Sequence, residues 1–248
     1  MQKKLVPQEK WEKGWVNHTG HFIAKPSIDK LLKKYLPVNS DYNFIELGSS
    51  PGNNLVYFAK TFHYNVTGLD YAGVDVTRNY LCKHNVISVL VDEDMFEWKS
   101  ENKYDVVFST GVVEHFDPID TVFDIHKNAC KQGGYIIICI PNIRYVNKWV
   151  ADLFNPGLSA EHNLKMMKPE ILRGQFDNQY EILYCDYYKT SLLDLEPNYD
   201  FLGKRTFLKK VHKFLQQISA ALKIDNIPNR FFSPNIVIVA RKTTQITL

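Results

Sequence analysis

The chain has 248 residues, 45% of them hydrophobic, a length that buries one full core with decorations rather than two large domains. Its net charge of +3 is too small to mark nucleic-acid binding by bulk electrostatics. Cys82, Cys130, Cys139 and Cys185 include no C-x-x-C pair, so neither a disulfide framework nor a cysteine zinc site is expected, and the expected setting is the reducing cytoplasm.

Residues 1–41 read as an N-terminal helical segment. Met1 to Pro7 lack the apolar stretch of a signal peptide. Trp11, Trp15, His18, His21 and Phe22 follow without clean periodicity, as either a lid over a site or an aromatic strap on the fold. Ser27 is then expected to cap a helix on Ile28, Leu31, Leu32, Tyr35 and Leu36, which Pro37 stops.

From Tyr42 onward strand and helix alternate. The predicted strands are Asn43–Leu47, Val66–Asp70, Ile87–Asp92, Asp105–Thr110 and Tyr135–Ile140, all rich in Val, Ile or Phe with little polar alternation, as in strands covered on both faces. Helices are expected at Asn53–Phe62, Val74–His84 and Pro118–Cys130, the last with Asp117 as N-cap and Pro118 in its first turn. Gly133-Gly134 should close that region before the fifth strand. Glu181–Tyr188 and Asn235–Arg241 supply two further strands, after an irregular insertion at about 142–180. The pattern predicts an α/β fold, a doubly wound seven-stranded and mostly parallel sheet. Between those last strands, residues 204–222 form a basic amphipathic helix with Phe207, Val211, Phe214 and Ile218 on one face. It reads as a solvated surface helix or as a peripheral membrane or anionic-substrate face.

The turn Glu46-Leu47-Gly48-Ser49-Ser50-Pro51-Gly52 joins a strand to a helix, and the next strand ends in Asp70. Glycine there lets backbone approach a ligand, because no Cβ intervenes. A carboxylate about twenty residues on can grip the two hydroxyls of a ribose. A dinucleotide fingerprint needs G-x-G-x-x-G, whereas Glu46 would repel a pyrophosphate and suit a cationic group. An NAD-dependent oxidoreductase or epimerase of the Rossmann type is therefore the alternative.

Glu46, Gly48 and Gly52 resemble motif I of the class I S-adenosylmethionine-dependent methyltransferases, with Ser50 where the middle glycine usually stands. Tyr104 to Pro118 closely resembles that family's segment after strand four, where an acid opens the strand and Glu114-His115 follows its end. Lys131-Gln132-Gly133-Gly134-Tyr135-Ile136 resembles its fifth-strand segment, so that residues 40–142 match throughout. Asn229 to Asn235 is similar to small-molecule and glycan-type members.

The resemblance implies a Rossmann-like methyltransferase fold over residues 42–248, S-adenosylmethionine as cofactor and S-adenosylhomocysteine as product. It assigns the cofactor turn to Glu46, Gly48, Ser49 and Gly52, and the ribose to Asp70 with Tyr71. The adenine falls to Asp92, Glu93, Asp94 and Met95, with Thr110 and Gly111 at the strand-four end. His115 is the first candidate for a catalytic base and His162 the second, ahead of His18 and His21, with a scaffold role equally open for His115. No metal is expected. The implied reaction is methyl transfer to a small-molecule or sugar acceptor, at oxygen, with RNA or protein acceptors as the alternative and nucleic acid not an expected partner.

Overall fold

The computed structural model describes residues 3–16, 25–99, 102–154, 157–189, 214, 217 and 227–243. The chain opens with β1 (Lys3–Lys4), α1 (Gln8–Val16) and α2 (Asp29–Tyr35). It then alternates through β2 (Asn43–Leu47), α3 (Asn53–Phe62), β3 (Asn65–Asp70), α4 (Val74–Lys83), β4 (Ser88–Asp92) and β5 (Tyr104–Thr110). After β6 (Phe116–Asp117) come α5 (Asp120–Ala129), β7 (Cys130–Pro141), α6 (Tyr145–Phe154), α7 (Pro169–Arg173), β8 (Tyr180–Tyr188) and β9 (Asn235–Lys242).

Among the described residues, seven strands form one sheet in the order β4-β3-β2-β5-β7-β9-β8. The five strands from β4 to β7 pair in parallel, and β9 runs antiparallel between β7 and β8. Side chains alternate across the pleat, so each strand feeds two cores. Ile45, Leu47, Val107, Ile136 and Ile138 pack with Phe123 of α5 on one face. Phe44, Val106, Phe108 and Ile137 pack with Phe58 and Phe62 of α3 and Leu32 of α2 on the other. The chain leaves β2 toward β3 on one side and meets β5 on the other, and that reversal opens a crevice at the strands' carboxyl ends.

Several boundaries differ from the sequence reading. β7 starts at Cys130, and Gly133-Gly134 lies within it rather than ahead of it. The register slips between Tyr104 and Val106 there, and a Cβ on Gly134 would come within 3.0 Å of the Asp105 carbonyl, which explains the glycine. Ile87 falls outside β4 and is 97% exposed, because β4 is the edge of the sheet and is not covered on both faces. Asp117 does not cap α5. Its backbone is extended and paired with Lys3 in a small antiparallel ladder, the Asp117–Pro118 peptide is cis, and α5 begins at Asp120 after Ile119. Ser27 does not cap α2 either, since Ile28 occupies the cap position without a side-chain bond. The basic helix at 204–222 lies outside the described residues apart from Phe214 and Gln217, as do His18 and His21.

Candidate active site

At the crevice between β2 and β5 sits a cavity of about 280 Å³. Its wall is built from strand tips: Gly48 and Ser50 after β2, Leu69, Asp70 and Tyr71 at β3, Glu93 and Met95 after β4, and Thr110, Gly111 and Val112 after β5, with His115 and Phe116 following.

The β2 turn requires its glycine. Gly48 has φ +74°, and a Cβ there would stand 2.5 Å from Cγ2 of Val112 across the cavity mouth. The Gly48 and Ser49 amides donate to the Leu69 carbonyl at 2.8 and 3.2 Å, which lashes the turn to β3. Asp70 completes the join. One carboxylate oxygen accepts the Ser50 amide at 2.8 Å and the other the Ala72 amide at 3.0 Å. Burial raises the Asp70 pKa, while those amide bonds pull it back. Ser50, at the place of a missing glycine, donates its hydroxyl to the Ala72 carbonyl at 2.7 Å and so ties the turn to the start of α4.

Glu46 does not reach the wall. It shares the face of Phe44, where Asn54 of α3 donates to one of its oxygens at 2.7 Å and the other has no partner. Burial drives its pKa well above the usual carboxylate range, opposed by the Asn54 bond. Ser49 is buried and Gly52, at φ +98°, is the N-cap of α3, and neither lines the cavity. Of the three acids at the end of β4, Glu93 lines the wall. Asp94 is ion-paired with Lys4 and accepts the Phe96 amide, and Asp92 sits exposed opposite Asp70 at the sheet edge.

The far end of the cavity is histidine-rich. A 3-10 turn, Val113–His115, follows β5 and leaves both Glu114 and His115 buried. Burial, with the neighbouring His162 imidazole adding to it, lowers the His115 pKa to about 4. Nδ1 of His115 lies 2.8 Å from the Glu161 carbonyl and must carry the proton to bond it. Glu114 has neither carboxylate oxygen bonded, and burial lifts its pKa to about 8. His162 is outside the wall but its ring lies 4.5 Å from that of His115, with its own Nδ1 2.7 Å from the Leu158 carbonyl.

Trp11 and Trp15, read from the sequence as part of either a lid or an aromatic strap and not named as site residues, both line the cavity. Their i, i+4 spacing on α1 puts them on one face, 6.4 Å apart and stacked. Trp11 meets the His115 ring edge-on at 5.0 Å, and Trp15 packs so closely over Gly73 that a Cβ there would lie 2.7 Å from its ring. The ladder between β1 and β6, the Leu5 amide bonded to the His115 carbonyl and the Lys10–Glu161 ion pair hold α1 over the opening. Leu69, Val112 and Phe116 join the wall as apolar surface.

In this wall backbone can approach a ligand at Gly48, Asp70 presents a carboxylate, and Leu69, Met95 and Phe116 offer an apolar slot. A family model described as "Methyltransferase domain" matches residues 19–179, more than half of the chain. The chain belongs to this methyltransferase family. It is a class I S-adenosylmethionine-dependent methyltransferase, and S-adenosylmethionine is its cofactor. No curated protein matches its sequence significantly.

Solved structures similar to the methyltransferase share its fold at low identity. A geranyl diphosphate C-methyltransferase from Streptomyces coelicolor, in complex with Mg2+, geranyl-S-thiolodiphosphate and S-adenosyl-L-homocysteine, is 15% identical with a TM-score of 0.60, covering 95% of this chain and 98% of that one. The MccD protein is 15% identical with a TM-score of 0.59, over 87% and 96%. TehB from Haemophilus influenzae is 16% identical with a TM-score of 0.56, over 95% and 67%. Among the described residues of the methyltransferase, no helix is long and apolar enough to cross a membrane.

Proposed function

We propose that this methyltransferase transfers the methyl group to an oxygen of a small-molecule acceptor, sugar-bearing acceptors included. One observation carries the reading: a neutral, buried imidazole, His115, stands in the wall of the same cavity that presents Asp70 and Glu93. Asp70 would hold the ribose hydroxyls and Glu93 the exocyclic amine of the adenine, with Leu69, Met95 and Phe116 against the ring and Gly48 admitting the tail. Bound there, the cofactor supplies an electrophilic methyl carbon on a sulfonium.

The chain's own work is then positioning and proton removal. Trp11 and Trp15 cover the cavity and exclude water. His115 is oriented by its Nδ1–H bond to the Glu161 carbonyl, which leaves the Nε2 lone pair to take the acceptor's hydroxyl proton as the new C–O bond forms. Its low pKa keeps that lone pair free at neutral pH, at the expense of some driving force. The His162 ring packs 4.5 Å from that of His115, and a carboxyl oxygen of Glu114 lies 3.9 Å from Nε2. The four cysteines are free, in keeping with a cytoplasmic enzyme.

The test is a panel of hydroxyl, amine and thiol acceptors offered with methyl-labelled cofactor. Label in an ether or ester of a small hydroxylated acceptor is expected. Label confined to amines, RNA or protein would refute the oxygen-acceptor reading.

A further inference from the structure

Behind the cavity's far end, three side chains converge with the features of a metal-binding group. Donor atoms of Glu114, His115 and His162 all lie within 4.8 Å of one another. Nε2 of His115 is 3.9 Å from a carboxylate oxygen of Glu114.

Two further observations bear on that cluster. Glu114 is fully buried, and neither of its carboxylate oxygens has a hydrogen-bond partner. A buried carboxyl group left unbonded is costly, and a cation that displaces its proton is one way to satisfy it. Both imidazoles are also pre-set. Each places Nδ1 against a backbone carbonyl, His115 on Glu161 at 2.8 Å and His162 on Leu158 at 2.7 Å. A carbonyl can only accept, so Nδ1 carries the proton in both rings and Nε2 carries the lone pair. Metal-ligating histidines are oriented by the same kind of bond from their other nitrogen.

We infer that Glu114, His115 and His162 bind one divalent transition-metal ion, of which Zn2+ is the type. Two imidazoles and a carboxylate suit that borderline class of cation better than Mg2+, which prefers an all-oxygen shell. Three protein ligands leave a position open, as in catalytic rather than closed structural zinc sites. Because His115 is in the cavity wall, the open position adjoins the acceptor end. A tetrahedral shell with bonds near 2.0–2.1 Å sets donors roughly 3.4 Å apart, so the trio draws inward from its 4.8 Å limit as the ion enters.

The binding itself stands on these three side chains. Its catalytic consequence rests on the acceptor placement proposed above and changes the part played by His115. With the ion present, Nε2 of His115 is a ligand, and an acceptor hydroxyl held by the ion would lose its proton to bulk water as it binds, ahead of methyl transfer.

The experiment uses the full chain stripped with a chelator. Calorimetric titration with Zn2+ should show one equivalent bound per chain, and Co2+ in its place should give the visible absorption of a low-coordinate nitrogen–oxygen site. Glu114→Gln and His162→Ala should each weaken Zn2+ binding by about 100-fold or more. Circular dichroism and S-adenosylhomocysteine titration identify variants that have kept their fold, and His162→Ala serves if the more buried Glu114→Gln has not. Absence of a one-equivalent site in the wild-type chain overturns the inference, as does wild-type affinity in folded variants. S-adenosylhomocysteine binding by the same metal-free sample then leaves the methyltransferase reading standing.

Discussion

The Asp70 carboxylate accepts the Ser50 amide at 2.8 Å, so the acid at the tip of β3 is part of the glycine turn after β2 before any ligand arrives. The other oxygen accepts the Ala72 amide at 3.0 Å, and further bonds from the Ser50 side chain and the Tyr71 backbone also favour the charged carboxylate. Asp70→Ala should therefore lose two things: charge-assisted bonds to the ribose, worth about 1.5–3 kcal/mol, and the anchor of the turn. Calorimetry with S-adenosylhomocysteine should show roughly a 10- to 100-fold weaker Kd, together with a lower Tm. Unchanged affinity would remove Asp70 from the ribose site.

Gly48 tests whether close backbone approach is required. Alanine there would adopt φ +74°, at a backbone cost of about 1–2 kcal/mol, and would drive its methyl into Val112 at 2.5 Å. Gly48→Ala should lower Tm and reduce S-adenosylhomocysteine affinity at least about tenfold, because the Val112 side of the cavity must shift. Pairing it with Val112→Ala should restore part of the affinity. A double variant no better than the single one would mean that backbone strain, not the clash, dominates.

How much could be read from sequence follows from where each element gets its contacts. β2 and α3 fall at Asn43–Leu47 and Asn53–Phe62 as expected, because a buried apolar run, a glycine turn and a helical repeat are all local. Asp117 has the local chemistry of a helix cap, but its partner is Lys3, far away in the chain, and that pairing draws it into a strand. Glu46 was read as part of the cofactor motif, yet strand alternation turns it toward Asn54 and away from the cavity. Just past the end of β4, Glu93 and not its two acidic neighbours lines the wall. For Trp11 and Trp15 the sequence left lid and strap open, because their position depends on α1 being tethered by β1 and Lys10. The acids and glycines at the strand tips do meet in one pocket, but a smaller set than the motif alone implied.

The tethered α1 invites its own test. Trp11 covers the cavity with its ring edge on His115, and Trp15 is wedged over Gly73. S-adenosylhomocysteine should quench intrinsic tryptophan fluorescence in the wild-type chain, and Trp11→Ala should remove much of that signal. Loss of the large apolar cover should weaken binding by about 1–3 kcal/mol, with little change in far-ultraviolet circular dichroism. Full quenching in Trp11→Ala would assign the signal to another tryptophan and leave Trp11 a strap rather than a lid.

The buried histidine of α5 sets an acid limit on stability. His126 is fully buried, with Nδ1 2.7 Å from the Val122 carbonyl and Nε2 2.9 Å from Oγ of Ser109. Nδ1 must donate to the carbonyl, so Nε2 accepts from the serine hydroxyl and the ring is neutral. Burial lowers its pKa from 6.5 to about 4, against the opposing effect of the Val122 bond. The unfolded chain therefore binds a proton between these values that the folded chain refuses. Stability from this group is complete above pH 6.5 and falls as pH drops toward 4. From pH 7 to pH 5 the loss from this residue alone is about 2 kcal/mol. His115 and His162 are also lowered and deepen the same slope, so the comparison must be with a variant. His126→Gln keeps a hydrogen-bonding side chain but cannot titrate. Urea unfolding at the two pH values should show the variant losing about 2 kcal/mol less than the wild type, whatever its stability at pH 7. Equal losses in the two proteins would mean that His126 takes up its proton as readily folded as unfolded, and that the Ser109 bond does not hold the ring neutral.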